Sequence, residues 1–102
     1  MNLKNKKVVI TGATGGIGNS LVKKFTDSGS KILATGTKEE KLNKLKKEFN
    51  EIQIEKFNLE DHPRIESFIE SAYNKLGGLD ILVNNAGINL DSLTIRLTEE
   101  NW

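Results

Sequence analysis

Ile10-Thr11-Gly12-Ala13-Thr14-Gly15-Gly16-Ile17-Gly18 decides the fold of this chain. The stretch follows the apolar run Val8-Val9-Ile10 and opens a segment in which Ile17, Leu21, Val22 and Phe25 recur at helical spacing. A strand that turns through glycines into a helix leaves unpaired backbone N–H groups and the positive end of a helix dipole beside a bare backbone. Such a turn suits a phosphate-bearing ligand. Gly12 permits the tight turn, the middle glycines admit a diphosphate to the backbone, and Gly18 lets helix and strand pack closely. Four glycines in seven residues, set between a buried strand and an apolar-faced helix, argue against a merely flexible connection.

Outward from this turn the pattern alternates. Val8 to Thr11 reads as a buried strand, Ile17 to Asp27 as a helix stopped by Gly29, and Lys31 to Thr35 as a second strand. Thr37 and Glu40 form a capping box before a helix reaching about Phe49, with Leu42, Leu45 and Phe49 on its apolar side. Ile52 and Ile54, with Phe57 just beyond, mark a short third strand. Ile65, Phe68, Ile69, Ala72, Tyr73 and Leu76 then recur at offsets of three and four, ended by Gly77-Gly78. Asp80 to Val83 reads as a fourth strand, and Ile88 to Leu97 as loop. Near-continuous apolar strands alternating with helices predict an α/β fold, a doubly wound parallel sheet of Rossmann type with about four strands. Thr98, Glu99 and Glu100 look like the start of a helix that Trp102 cuts short, and Ile81-Leu82-Val83 would form an unprotected sheet edge. These features predict a truncated N-terminal half, aggregation-prone or only partly folded when expressed alone.

Composition narrows the function classes. At 102 residues there is room for one domain, and 28% charged residues with a net charge of +1 give no general case for nucleic acid or an acidic membrane. No cysteine is present, which removes disulfides and thiolate metal sites and fits a reducing cytoplasm. No stretch reads as a signal peptide or a bilayer span. His62, the single histidine, stands beside Pro63 at a helix start and reads as solvated or capping, so no metal site is expected. Lys38, Lys41, Lys44, Lys46 and Lys47 are interspersed with Glu39, Glu40 and Glu48, which reads as a solvated face.

The glycines fit two overlapping patterns: Gly12, Gly16 and Gly18 match Thr-Gly-x-x-x-Gly-x-Gly, and Gly12, Gly15 and Gly18 match Thr-Gly-x-x-Gly-x-x-Gly. The first resembles the short-chain dehydrogenase/reductase family, the second that family's extended branch. Asn84-Asn85-Ala86-Gly87, placed after a fourth strand, resembles the Asn-Asn-Ala-Gly motif of ordinary short-chain members. In that family the segment holds the central sheet together and lines the adenosine pocket. The end of the chain, Asp91-Ser92-Leu93-Thr94-Ile95-Arg96-Leu97 and Glu99-Glu100-Asn101-Trp102, is similar to bacterial 3-oxoacyl-[acyl-carrier-protein] reductases, and acetoacetyl-CoA reductases and sugar dehydrogenases share much of it.

The resemblance implies a nicotinamide dinucleotide held by Gly12, Ala13, Thr14, Gly15, Gly16, Ile17 and Gly18, by Thr37 and Lys38 after the second strand, by Asn58 and Leu59 after the third, and by Asn85, Ala86 and Gly87 after the fourth. NAD-selective sites place an acid about 20 residues past the glycines to accept the ribose 2′-OH. Here Ala34-Thr35-Gly36-Thr37-Lys38 carries none before Glu39, and a hydroxyl with a nearby ammonium tolerates a 2′-phosphate, so NADP is favoured over NAD. Gly15 argues the other way, because many NADP-using relatives carry Arg there.

Family members reduce a ketone with a tyrosine, a lysine four residues later, a serine and an asparagine. Tyr73 is the only tyrosine, its fourth successor is Gly77, and its place on the apolar stripe reads as core packing. No catalytic residue is therefore assigned, and this 102-residue chain by itself is predicted inactive, a cofactor-binding half. The resemblance implies a cytoplasmic NADPH-dependent reductase of 3-oxoacyl thioesters on acyl carrier protein, in fatty acid biosynthesis, assembled as a homotetramer. The alternatives are a short-chain enzyme of another substrate (acetoacetyl-CoA, sugar or alcohol) and a non-catalytic nucleotide-binding module.

Overall fold

The computed structural model describes residues 3–58, 61–85 and 94–97. In chain order they form β1 (Lys7–Ile10), α1 (Gly16–Asp27), β2 (Lys31–Gly36), α2 (Glu39–Glu48), β3 (Gln53–Lys56), a single 3-10 turn (His62–Arg64), α3 (Ile65–Leu76), β4 (Ile81–Asn84) and β5 (Thr94–Leu97). The five strands make one sheet in the order β3-β2-β1-β4-β5. Strands β1 to β4 are parallel, with Val8 opposite both Ile32 and Ile81.

Period-two alternation divides the sheet into two faces. Val8, Ile10, Ile32, Ala34, Ile81 and Val83 point to one side and pack with Val22 and Phe25 of α1 and Leu45 of α2. Val9 and Leu33 point to the other side and meet Phe68, Ala72 and Leu76 of α3. Crossover handedness explains this distribution. Stepping outward from β1 to β2 to β3 with right-handed crossovers puts α1 and α2 on one face; the return from β3 to β4, across β1, puts α3 on the opposite one. The winding direction therefore reverses between β1 and β4, and their carboxyl ends diverge there.

Five local expectations are corrected. Ile88 to Leu97, read as loop, contains β5, which pairs antiparallel with β4 in the register Ile81↔Leu97 to Asn84↔Thr94. Strand β4 is accordingly an interior strand, not an edge. Thr37 and Glu40 do not form a capping box: α2 starts at Glu39 with Lys38 as its N-cap and no side-chain cap. Lys38 itself remains extended, at φ −114° and ψ 108°. Gly36 is still laddered to Lys56, and its carbonyl accepts Phe57 N, so the chain stays extended through Gly36 and the carbonyl that opens the helix is that of Lys38. Tyr73 is 47% exposed, against the core reading, because it lies one residue, about 100° of rotation, beyond Ala72 at the centre of the buried arc. Ile17, placed on the apolar face of α1, is 49% exposed, while Gly18, Val22 and Phe25 are buried.

Helix α3 ends as its glycines indicate, with Gly77 left-handed at φ +77°. The helix start beyond Thr98 lies outside the described residues. Among those described, no helix is long and apolar enough to cross a membrane.

Candidate functional site

The glycine turn sits where β1 and β4 part, and strands on both sides hold it. On the β4 side Thr11 N donates to Val83 O at 3.0 Å, and the Thr11 hydroxyl accepts Asn85 N at 2.8 Å. The single proton of that hydroxyl faces two acceptors, Asn84 Oδ1 at 3.0 Å and Val83 O at 3.3 Å. The Asn85 side-chain amide also donates to Gly12 O at 3.4 Å. On the β2 side Ala13 N donates to Thr35 O at 3.1 Å. Gly12 turns with φ +61°, a conformation that side-chain-bearing residues rarely adopt.

Gly18 is required for a different reason. A Cβ there would stand 2.2 Å from Gly12 O and 2.7 Å from Ala13 Cα, both main-chain atoms. Only glycine lets the first turn of α1 lie directly on the bend. Gly15 and Gly16 contrast with it: a Cβ at Gly16 would meet nothing within 4 Å, and one at Gly15 only Gly12 O at 3.9 Å. Their missing side chains leave open space above the helix end instead of relieving a contact.

That helix end has free donors. The first i-to-i−4 bond of α1 runs from Asn19 N to Gly15 O, so the amides of Gly16, Ile17 and Gly18 have no carbonyl one turn back. The N-cap is Gly15 and supplies no side-chain acceptor, and the first turn carries no acid. Uncapped donors, the positive end of the α1 dipole and bare Cα atoms form a cradle for an anion of diphosphate size. The cradle lies at the carboxyl end of β1, at the reversal of winding, where open α/β sheets bind their ligands.

The other residues expected at the site fall around this cradle. Ala13 is buried beneath the turn and Ile17 stands exposed at its mouth. Thr14 packs toward the end of β2, where a Cβ on Gly36 would meet Thr14 Cγ2 at 3.3 Å. Thr37 and Lys38 are exposed between β2 and α2, as is Asn58 after β3, whose carbonyl accepts Asp61 N at 2.9 Å. Asn85 is half-buried against Gly12; Leu59, Ala86 and Gly87 lie outside the described residues. Thr11 has no role in the sequence-based expectations, whereas Asn84 belongs to the Asn-Asn-Ala-Gly segment expected to hold the central sheet together. Their signal was present as the Thr preceding Gly12 and the first Asn of the pair, but the hydrogen bond that joins them crosses 73 residues and has no local signature. His62 and Tyr73 are remote from the glycine turn in the sequence and share an apolar groove with Ile65, Ile69 and Leu82 beside α3. Among the described residues, no group of side chains could hold a metal ion.

Comparison with known proteins agrees with this geometry. The sequence profile of the short chain dehydrogenase family matches residues 6–102. A 3-oxoacyl-[acyl-carrier-protein] reductase of Thermotoga maritima is 36% identical over 106 aligned positions, covering all of this chain and 43% of the relative. The enzyme of the same name from Vibrio cholerae is 34% identical, with 42% of its length covered. Crystal structures of short chain dehydrogenases from Bacillus anthracis and Mycobacterium smegmatis superpose with TM-scores of 0.77 and 0.80 at 32% and 26% identity. Each covers 85% of this chain, which spans 37% and 39% of theirs. Chain-wide agreement of sequence and fold leads to one conclusion: this protein belongs to the short-chain dehydrogenase family.

Proposed function

We propose that this chain supplies the dinucleotide-binding part of an NADPH-dependent reductase acting on a 3-oxoacyl thioester, with acyl carrier protein as the carrier. One observation carries the reading: the uncapped end of α1, bare at Gly15 and Gly16, is held rigidly between β2 and β4 at the reversal of winding. The names of the Thermotoga maritima and Vibrio cholerae relatives support the substrate class. When bound, a reduced nicotinamide supplies a hydride to a carbonyl carbon.

The chain's own residues bind and orient. The amides of Gly16, Ile17 and Gly18 donate to the diphosphate; the exposed Ile17 side chain offers an apolar surface at the mouth of the cradle. Thr37 and Lys38 approach the adenosine ribose, and the absence of an acid between Ala34 and Lys38 supports NADP over NAD. Asn58 and Asn85, after β3 and β4, flank the adenine side. Tyr73 is followed four residues later by Gly77 rather than lysine, so no proton donor is assigned to this chain.

Titration with NADPH and NADH tests the binding, and an assay of NADPH oxidation with a 3-oxoacyl thioester tests the chemistry. Saturable NADPH binding is expected of the intact protein that contains this chain, and no turnover of the 102-residue chain alone. An intact protein that binds neither dinucleotide, or a 102-residue chain that turns over the thioester, overturns this reading.

A further inference from the structure

We infer that the charge selecting a 2′-phosphate comes from Lys41, assisted by Lys44, on the body of α2, and not from the glycine loop or the β2–α2 connection. The inference rests on the dinucleotide reading and deepens it. Gly15 places no cation in the loop, and its neighbour Thr14 turns its side chain toward the end of β2, within van der Waals reach of Gly36. Leu42 closes the same junction: a Cβ on Gly36 would find Leu42 Cδ2 at 3.7 Å. Thr14 therefore connects the diphosphate cradle to the first turn of α2. Beside it lies a concave pocket of about 340 Å³ whose walls include Thr14 and Asn19 from the loop and α1, and Lys41 and Lys44 from α2.

Spacing on α2 accounts for the arrangement. Lys41 and Lys44, three apart, share one side of the helix, and both line the same hollow. Lys41 is in the first turn, nearest the end of β2; Lys44 follows one turn on. Glu48 also lines the pocket but sits two turns beyond Lys41, and Glu39 and Glu40 precede Lys41 in the first turn without lining it. Lys38 is the N-cap of α2 and is not part of the pocket wall. A dianionic phosphate meeting Lys41 and the Thr14 hydroxyl gains charge-assisted hydrogen bonds that a ribose 2′-OH forms far more weakly.

The test is calorimetric titration of the protein with NADP+, NAD+ and 2′,5′-ADP. Variants are Lys41→Gln, the Lys41→Gln/Lys44→Gln pair, Lys38→Gln, and Lys47→Gln as a control of equal charge change on the same helix outside the pocket. Expected is a preference for NADP+ in the unmodified protein that drops by about tenfold or more in the double variant, with loss of 2′,5′-ADP binding. Lys47→Gln should keep the preference, and added salt should erode it, because both pocket lysines are exposed. The inference is overturned if the double variant keeps the original NADP+ to NAD+ ratio, if Lys38→Gln alone abolishes that ratio, or if the unmodified protein binds both dinucleotides equally. Failure of the underlying reading looks different: a folded protein that binds neither dinucleotide.

Discussion

Two glycines separated by one residue should fail in opposite ways when substituted. In Gly18→Ala the new Cβ would lie 2.2 Å from Gly12 O, and a real Cβ needs at least 3.0 Å, so the turn and the helix must separate by about 0.8 Å at that point. The turn cannot retreat freely. Gly12 is held by the Asn85 amide and Ala13 by the Thr35 carbonyl, and each such hydrogen bond contributes about 1 kcal/mol. Overpacking against the main chain belongs at the upper end of the usual range, about 3 kcal/mol. Alanine's better helix propensity offsets up to about 1 kcal/mol, leaving a net loss of about 2–3 kcal/mol. For a domain of this size that lowers the midpoint of a thermal melt by about 10–20 °C. Gly16→Val meets no atom within 4 Å at its Cβ, so its melt should stay within about 3 °C of the original. The valine instead fills the space assigned to the diphosphate, and dinucleotide affinity should fall by about tenfold to a hundredfold. Melts followed by circular dichroism and titrations with NADPH read out both halves. A Gly18→Ala protein that melts with the original refutes the packing argument, and a Gly16→Val protein that binds NADPH undiminished refutes the cradle.

Thr11→Val strips Asn85 N of its acceptor and should cost about 1–3 kcal/mol in a urea titration, whereas Thr11→Ser should recover most of it. Thr35→Val should act in the opposite direction: the Thr35 hydroxyl is buried without a hydrogen-bond partner, so an isosteric methyl should raise stability by about 1 kcal/mol, and a lower urea midpoint would show that the hydroxyl is used. Gly77→Ala has free space at its Cβ but must hold φ +77°, so a loss of about 1–2 kcal/mol is expected from conformation alone, and an unchanged midpoint would contradict it.

What could be read from the sequence and what could not divides along the range of the interactions. Val8-Val9-Ile10 and Ile81-Leu82-Val83 announced themselves because strands covered on both faces are apolar at every position. Helix α3 was legible from its repeat and from Gly77, which ends it through its own backbone preference. The errors arose where a distant partner decides. Thr37 and Glu40 have the right spacing for a capping box, but Lys38 is still extended and its carbonyl opens the helix, one residue past the point where Thr37 could cap. Tyr73 shares the spacing of the buried residues, yet the sheet covers only the arc centred on Ala72. Strand β5 alternates polar and apolar residues over Thr94-Ile95-Arg96-Leu97 alone, too short a run to stand out from a loop, and its place is set by β4. At the site, the glycines were visible from spacing alone, whereas the part played by Thr11 depends on Asn84 and Asn85, more than 70 residues away.

The division of labour within the site follows from the same physics. Nearly every contact proposed for the diphosphate is a main-chain amide, and the side chains at Gly15 and Gly16 are absent, so the cradle itself cannot tell one dinucleotide from another. Its rigidity comes from β2 and β4, through Ala13 and Thr35 on one side and Thr11 and Asn85 on the other. On the proposal above, discrimination comes from side chains outside the cradle, and the first element placed to supply them is α2, which follows β2 after two residues. A shift of one residue in where α2 begins would rotate Lys41 and Lys44 by about 100° away from Thr14. Under that proposal the pairing of Gly36 with Lys56, which marks the end of β2, links the sheet to the choice of cofactor. Weakening that pairing should alter the NADP+ to NAD+ ratio before it alters the affinity for the diphosphate.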